Sequence, residues 1–343
     1  MNIREWCRDI IRRPDRVAIP IMTHPGIEEM PYTVRQAITD GSIHAQAIKN
    51  LASRYPTHAA SVIMDLTVEA EAFGADILFP EDEIATVSGH CLSSPSDIRN
   101  LRVPSLSGGR IQEYLKASVI AHRDISDRPV FAGCIGPFSL AGRLYDMSDM
   151  MMLICSDPQS AHELLEKATT FILRYVAALK ATGVEGVLMA EPAAGLLSDT
   201  DCTTFSSEYI RRIVEKLQDD NFIIILHNCG NTGHCTPAMV KTGAAALHLG
   251  NKCDLAEIAA SVPSDILVMG NLDPVSVFKQ MTPQGVYDAT TELLRTTADY
   301  PNIVLSSGCD TPPHTPLANI DAFFDAVSAY NAGLEVSSLQ TST

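Results

Sequence analysis

Short runs of Val, Ile, Leu and Ala recur along the chain, each closed by a polar, Gly or Pro cluster. Eight of them have strand length: 17–23, 74–79, 129–135, 184–190, 222–228, 244–249, 265–270 and 302–306. Between them apolar residues return every three or four positions, as in Ala161–Thr182 and Tyr209–Gln218, which is the spacing of amphipathic helices. Strands that alternate with helices pair in parallel through crossover connections, and near-continuous apolar strands suit a sheet buried on both faces. Eight such units without a G-x-G-x-x-G turn predict an α/β fold, a single (β/α)8 TIM barrel rather than an open dinucleotide-binding sheet. The early chain is less regular. Residues 24–73 hold one or two helices before the second strand, read as N-terminal helical additions. Residues 80–128 form a long excursion that Pro95, Pro104 and the Ser-Gly-Gly run at 107–109 punctuate as loop. No linker, charge block or repeat divides the chain, so one domain is expected over 1–334, followed by a frayed Ser/Thr-rich tail over 335–343.

The 343 residues suffice to bury a large core, and the charge narrows the choice of partner. Lys and Arg number 25 against 41 Asp and Glu, a net charge of −16, which argues against nucleic acid as a partner and disfavours polyanionic substrates. Nine cysteines at irregular spacing do not form a disulfide framework. No run approaches the roughly 20 apolar residues of a membrane span, and the charged N-terminus lacks a signal-peptide core. A cytoplasmic protein, with no membrane partner, is the expectation.

The chemistry concentrates at two strand ends. Phe222-Ile-Ile-Ile-Leu-His-Asn-Cys-Gly230 is an apolar strand ending in His227 and Cys229, and residues i and i+2 of a strand share a face. The last strand runs into Ser307-Gly-Cys-Asp310, which ends in Cys309. In a barrel all C-terminal strand ends converge on one mouth, so Cys309 can meet the pair across 80 residues. One imidazole and two thiolates make a tetrahedral zinc site with an exchangeable fourth position, and sulfur ligands select zinc over magnesium or calcium. The ordinary alternative is two small buried thiols beside a satisfied histidine. His234 and Cys235 lie close enough in sequence to compete as ligands.

Seven segments then point one way. They are Asp65-Leu-Thr-Val-Glu-Ala-Glu71, Gly136-Pro-Phe-Ser-Leu-Ala-Gly142, Glu191-Pro192, His227-Asn-Cys-Gly-Asn231, Gly270-Asn-Leu-Asp-Pro274, Ser307-Gly-Cys-Asp310 and Thr315-Pro-Leu-Ala-Asn319. In this order they resemble the uroporphyrinogen decarboxylase superfamily, and within it the methylcobamide:coenzyme M methyltransferase branch. The resemblance implies a TIM barrel of that type, with zinc on His227, Cys229 and Cys309. The implied reaction moves a methyl group from a methylated corrinoid (a methylcobamide on a partner corrinoid protein) to a small thiol such as coenzyme M or homocysteine. True decarboxylases of the superfamily carry a Met-Arg-Gln-Ala-Gly-Arg segment after the first strand. Here Met22-Thr-His-Pro-Gly-Ile27 stands in that place, with Thr23 and Ile27 where the arginines would be. Arginine forks are the natural partners of a substrate bearing eight carboxylates, so the departure favours the methyltransferase. The alternatives are a decarboxylase-like lyase working without metal, and a non-catalytic protein that binds a corrinoid or methyl carrier.

Several other residues are candidates for the mouth. Glu191, ending the fourth strand, is either a displaceable fourth zinc ligand or proton acceptor, or a structural carboxylate that binds loop N–H groups. Asp310 could tune the site beside Cys309 by accepting a hydrogen bond. His24, Asp65, Asn271 and Asp273 are candidate substrate contacts, although Asn and Asp also hold turns. Asp65, Glu69 and Glu71 cannot all share one helical face, so at most a pair acts together. Met147 and Met150–Met152 could touch a corrinoid-carrying protein or simply fill a helix core. The remaining histidines read as surface or core residues without a partner.

Overall fold

The structure, a computed structural model, describes residues 1–341, with side chains as far as Leu334. Its ten strands are β1 (Val17–Ala18), β2 (Ala60–Ser61), β3 (Asp76–Leu78), β4 (Thr86–Ser88), β5 (Val130–Ile135), β6 (Gly186–Ala190), β7 (Ile223–Asn228), β8 (Ala246–Leu249), β9 (Leu267–Leu272) and β10 (Ile303–Ser307). Eight form one curled parallel sheet in the order β1-β10-β9-β8-β7-β6-β5-β2. The two edge strands meet through the His58 N–H, which donates to the Ala18 carbonyl at 3.1 Å. The strand order is that of a TIM-barrel-like fold, with helices in the crossovers.

The local reasons are plain for the later strands. In β7 all six residues, Ile223 to Asn228, are buried, and β-branched isoleucines sit well on a pleated surface packed on both sides. Burial of each such side chain contributes about 1.5–3 kcal/mol. Inward-facing Ile223, Ile225, Leu188, Met269 and Val304 share a cluster with Ile3, Cys7 and Ile10. These last three lie on one face of the helix Ile3–Arg12, and Trp6 stacks edge-on against Phe131 at 6.0 Å. That helix therefore closes the N-terminal end of the sheet and leaves the opposite mouth for loops.

Two early expectations are corrected. The run at 74–79 is not the second strand of the sheet. Its core pairs antiparallel with β4 as a separate arm, with alternate residues exposed. The second sheet strand is β2, whose ladder of two residues beside β5 is too short to leave a periodic signature. The excursion at 80–128 is not simply loop, because it contains the helices Pro95–Asn100 and Ile111–Asp124. The tail expected to fray lies at the margin of description: the helix Leu317–Thr341 runs into it, and residues 342–343 lie outside the described residues. No helix of the described residues is long and apolar enough to cross a membrane.

Candidate metal centre

Three loops build the centre. β7 carries His227 as its penultimate residue, fully buried, and Asn228 turns the chain by accepting the Gly230 N–H at 3.0 Å, which presents Cys229. On the far side, β10 is tied to the chain that extends β1. The Ile19 N–H donates to the Leu305 carbonyl at 2.8 Å, the Ile21 N–H to Ser307 Oγ at 3.0 Å, and the Thr311 N–H to the Ile21 carbonyl at 2.9 Å. These bonds fix the turn that presents Cys309. Between them the loop after β8 approaches so closely that a Cβ on Gly250 would lie 2.7 Å from the Cys229 Cα, so only glycine fits there.

The outcome is a compact donor set. One ligand atom each from His227, Cys229 and Cys309 lies within 4.8 Å of the others. His227 Nε2 is buried and has no hydrogen-bond partner. A buried imidazole nitrogen left bare costs free energy, and a metal ion is the partner that a neighbouring pair of thiols fits. The Cys309 thiol donates to Cys229, which lowers the Cys229 pKa. Burial opposes this, and His227 adds to the lowering. The bond to Cys229, together with burial, raises the Cys309 thiol. A thiol whose pKa is lowered in this way gives up its proton more readily to a soft cation.

The other nitrogen of His227 is engaged. Nδ1 lies 2.8 Å from Nδ1 of His248, and His248 Nε2 lies 2.9 Å from Ser306 Oγ. Burial, with His227 beside it, pushes the His248 pKa well below the ordinary histidine value, so this ring is neutral. If His227 Nε2 keeps its lone pair for a metal, Nδ1–H must donate to His248, whose own Nε2–H then donates to Ser306. Such an outer partner fixes both the tautomer and the orientation of a ligand. Cys309 is followed by Asp310, whose carboxylate accepts from Thr23 Oγ1 at 3.3 Å and stands 3.3 Å from His24 Nδ1. Burial works against charge on His24, but Asp310 and Asp65 outweigh it and raise its pKa.

A family model described as uroporphyrinogen decarboxylase (URO-D) matches residues 16–330. The chain belongs to the uroporphyrinogen decarboxylase family. It is 28% identical over 276 residues to a methylcobamide:CoM methyltransferase, MtbA, of Methanosarcina mazei, covering 79% of this chain and 80% of that protein. It is 27% identical over 292 residues to a uroporphyrinogen decarboxylase of Azotobacter vinelandii, covering 81% of each. Among solved structures, a methyltransferase from Methanosarcina mazei superposes with a TM-score of 0.85 at 22% identity, over 96% of this chain and 98% of that one, a likeness of fold.

The remaining candidates lie outside the donor set. Glu191 is buried, but its carboxylate is taken up by the Phe138 N–H at 2.7 Å, the Ser139 N–H at 3.0 Å and the Ser206 hydroxyl at 2.9 Å. It caps the helix Pro137–Tyr145, the structural alternative, and is not part of the donor set. Asn271 donates to the carbonyls of Gly250 and Cys253, and Asp273 accepts from the Val275 and Ser276 N–H groups and from Asn251. Both hold the loops around the mouth. Asp65 accepts from Thr67, from the Tyr114 hydroxyl at 3.0 Å and from the Arg110 guanidinium, whose Nε also bonds Glu71 at 2.7 Å. Asp65 and Glu71 thus act as a pair through one arginine, while Glu69 accepts the Ile135 N–H and leaves its second oxygen bare. His234 bonds Thr232 and the Leu197 carbonyl, and Cys235 faces the carbonyls of Ala194 and Leu197, away from the donor set. In the methionine cluster Met150 is fully buried and Met152 is 61% exposed, so the run divides between core and surface.

Several histidines read as partnerless have partners, two of them fully buried. His248 faces His227, and His44 accepts the Ile63 N–H at 2.8 Å. A signal for His248 existed. A histidine inside Ala246-Leu-His-Leu249 is out of place in an apolar strand, and it falls in direct register with His227. Arg110 left no comparable trace, because it lies 39 residues from Glu71 and 45 from Asp65 in sequence.

Proposed function

We propose that this chain is a zinc-dependent methyltransferase that moves a methyl group from a methylated corrinoid, carried by a separate protein, to a small thiol. The observation that carries the reading is the donor set itself, an orphaned His227 Nε2 beside the sulfurs of Cys229 and Cys309. His227, Cys229 and Cys309 would hold the zinc. When bound there, zinc supplies Lewis acidity that keeps an added thiol as its thiolate near neutral pH. The chain's own contribution is placement: His248 and Ser306 orient the His227 ring, and Thr23 and His24 hold Asp310 beside Cys309. In the transfer the sulfur–methyl bond forms as the cobalt–methyl bond breaks, the electron pair stays on cobalt, and the thiol proton leaves to solvent.

The methyltransferase relatives support the same reading, the decarboxylase relatives offer the alternative, and the first-strand region weighs against porphyrinogen decarboxylation. Thr23 is buried and bonded to Asp310, and Ile27 lies in an apolar cluster with Val34 and Ile63. Neither position offers a cation to a carboxylate. The test is metal analysis of protein purified without chelator, followed by assay with methylcobalamin and 2-mercaptoethanesulfonate, homocysteine or no thiol. About one zinc per chain and thiol-dependent demethylation are expected. A chain without zinc, or one that decarboxylates porphyrinogens in the presence of chelator, overturns the reading.

A further inference from the structure

Arg143 stands out by what it lacks. It sits half-buried in the helix Pro137–Tyr145, yet among the described residues its guanidinium makes no hydrogen bond and no ion pair. Its electrostatic partners are the more distant carboxylates of Asp65 and Glu69. Asp65 is already bonded to Arg110, and burial pushes the Glu69 pKa up to about 7, so neither fully neutralises it. Desolvation lowers the Arg143 pKa, which marks a cation held partly out of water without compensation. In a chain of net charge −16 such a cation is conspicuous.

Arg143 also faces space. A cavity of about 320 Å³ is lined by Val87, Ser139, Gly142, Arg143, Pro192 and Ala193. One acid, Asp146, shares the wall, but its carboxylate caps the following helix through the Ser148 and Asp149 N–H groups and forms no ion pair with Arg143. One wall of the cavity packs against the turn that follows Cys229, where a Cβ on Gly230 would lie 2.5 Å from the Pro192 carbonyl oxygen. Pro192 and Ala193 open the short helix Pro192–Leu196, and Gly195 of that helix is packed on Gly230, the residue after Cys229. A Cβ on Gly195 would lie 2.3 Å from the Gly230 carbonyl carbon. β5, β6 and β7 are successive neighbours in the sheet, so the cavity wall and the Cys229 turn rise from adjacent strand ends.

We infer that the Arg143 cavity is an anion subsite, which takes the sulfonate or carboxylate end of the small thiol acceptor. A guanidinium presents parallel N–H donors that match two oxygens of either group, and the apolar faces of Val87 and Pro192 suit a short carbon chain. The identity of the bound molecule as a thiol rests on the methyl-transfer reading; the subsite as an anion site does not.

The test separates the two. Thiol-free probes, ethanesulfonate and propionate, are titrated calorimetrically into the full-length protein as purified, alongside R143Q and R143K. The wild-type chain should bind at least one probe, R143Q should bind it about 10-fold more weakly or worse, and R143K should fall between them. In methyl-transfer assays R143Q should raise the KM for 2-mercaptoethanesulfonate, relative to that for 2-mercaptoethanol, by a similar factor. The preferred probe tells sulfonate from carboxylate. No binding of either probe to wild type, or equal affinity in R143Q, overturns the subsite even if methyl transfer succeeds. Arg143-dependent binding in a chain without zinc or transfer activity sustains the subsite and refutes the proposed reaction.

Discussion

Two buried polar clusters lie along the same mouth, and they differ in how completely their valences are used. After β2, Asp65, Arg110, Thr67, Tyr114 and Glu71 bond one another, and His44 nearby accepts a backbone N–H. At the ends of β7 and β10, His227 keeps a bare nitrogen beside the thiols of Cys229 and Cys309. A saturated cluster has nothing left to offer a ligand and acts as structure. An unsaturated one holds back part of its bonding capacity, which is what a metal site requires.

The sharpest break in that comparison is ligand removal. C229S or C309S should abolish metal retention and thiol-dependent transfer, a loss beyond the ~100-fold that marks the removal of an outer partner. Metal content by mass spectrometry and melting of the folded chain check it, and retained zinc in both variants would sink the site. Next is the opposite cluster. R110M strands the buried Asp65 carboxylate, so equilibrium unfolding should lose about 3–5 kcal/mol. The folded fraction should nevertheless keep its metal stoichiometry.

A smaller effect is expected at the boundary of the metal centre. H248L leaves all three ligands in place but frees the His227 ring, so metal affinity in competition with a chromogenic chelator should fall 10–100-fold. An unchanged affinity would reduce His248 to packing. Nearest to neutral pH the mildest effect is on pH dependence, and it belongs to two buried groups beside the saturated cluster. Burial holds His44 neutral with its pKa pushed down to about 3, against an ordinary 6.5. The unfolded chain therefore takes up a proton that the folded chain refuses. Stability present above pH 6.5 should decline toward pH 3, by at most ~1.4 kcal/mol per pH unit. Glu69, raised by burial from 4.5 to about 7, acts with the opposite sign: its contribution is full below pH 4.5 and is lost as pH rises through 7. Urea titrations of H44Q and E69Q across this range should each remove one slope.

Much of this was legible in the chain. The later strands announced themselves because β5 to β10 are apolar on both faces, and His227, Cys229 and Cys309 stood out as polar residues at their ends. β2 was hidden because its ladder spans two residues, while 74–79 looked more strand-like and formed a surface arm instead. Glu191 shows the limit for single residues. Its place at a strand end suited a ligand as well as a helix cap, and only the approach of the Phe138 and Ser139 N–H groups distinguishes the two.

The sequence alone determined the alternation of elements, the acidic balance and the residue types at the strand ends, since these follow from local periodicity and composition. Tertiary structure decided which of those residues meet. It set His248 against His227, saturated Asp65 with Arg110 and left Arg143 facing a cavity. Such pairings join positions 21 to 45 residues apart, and the 80-residue gap between Cys229 and Cys309 is closed only when the sheet curls. Whether a polar group is satisfied or left free depends on neighbours that folding brings in, and no local pattern encodes them.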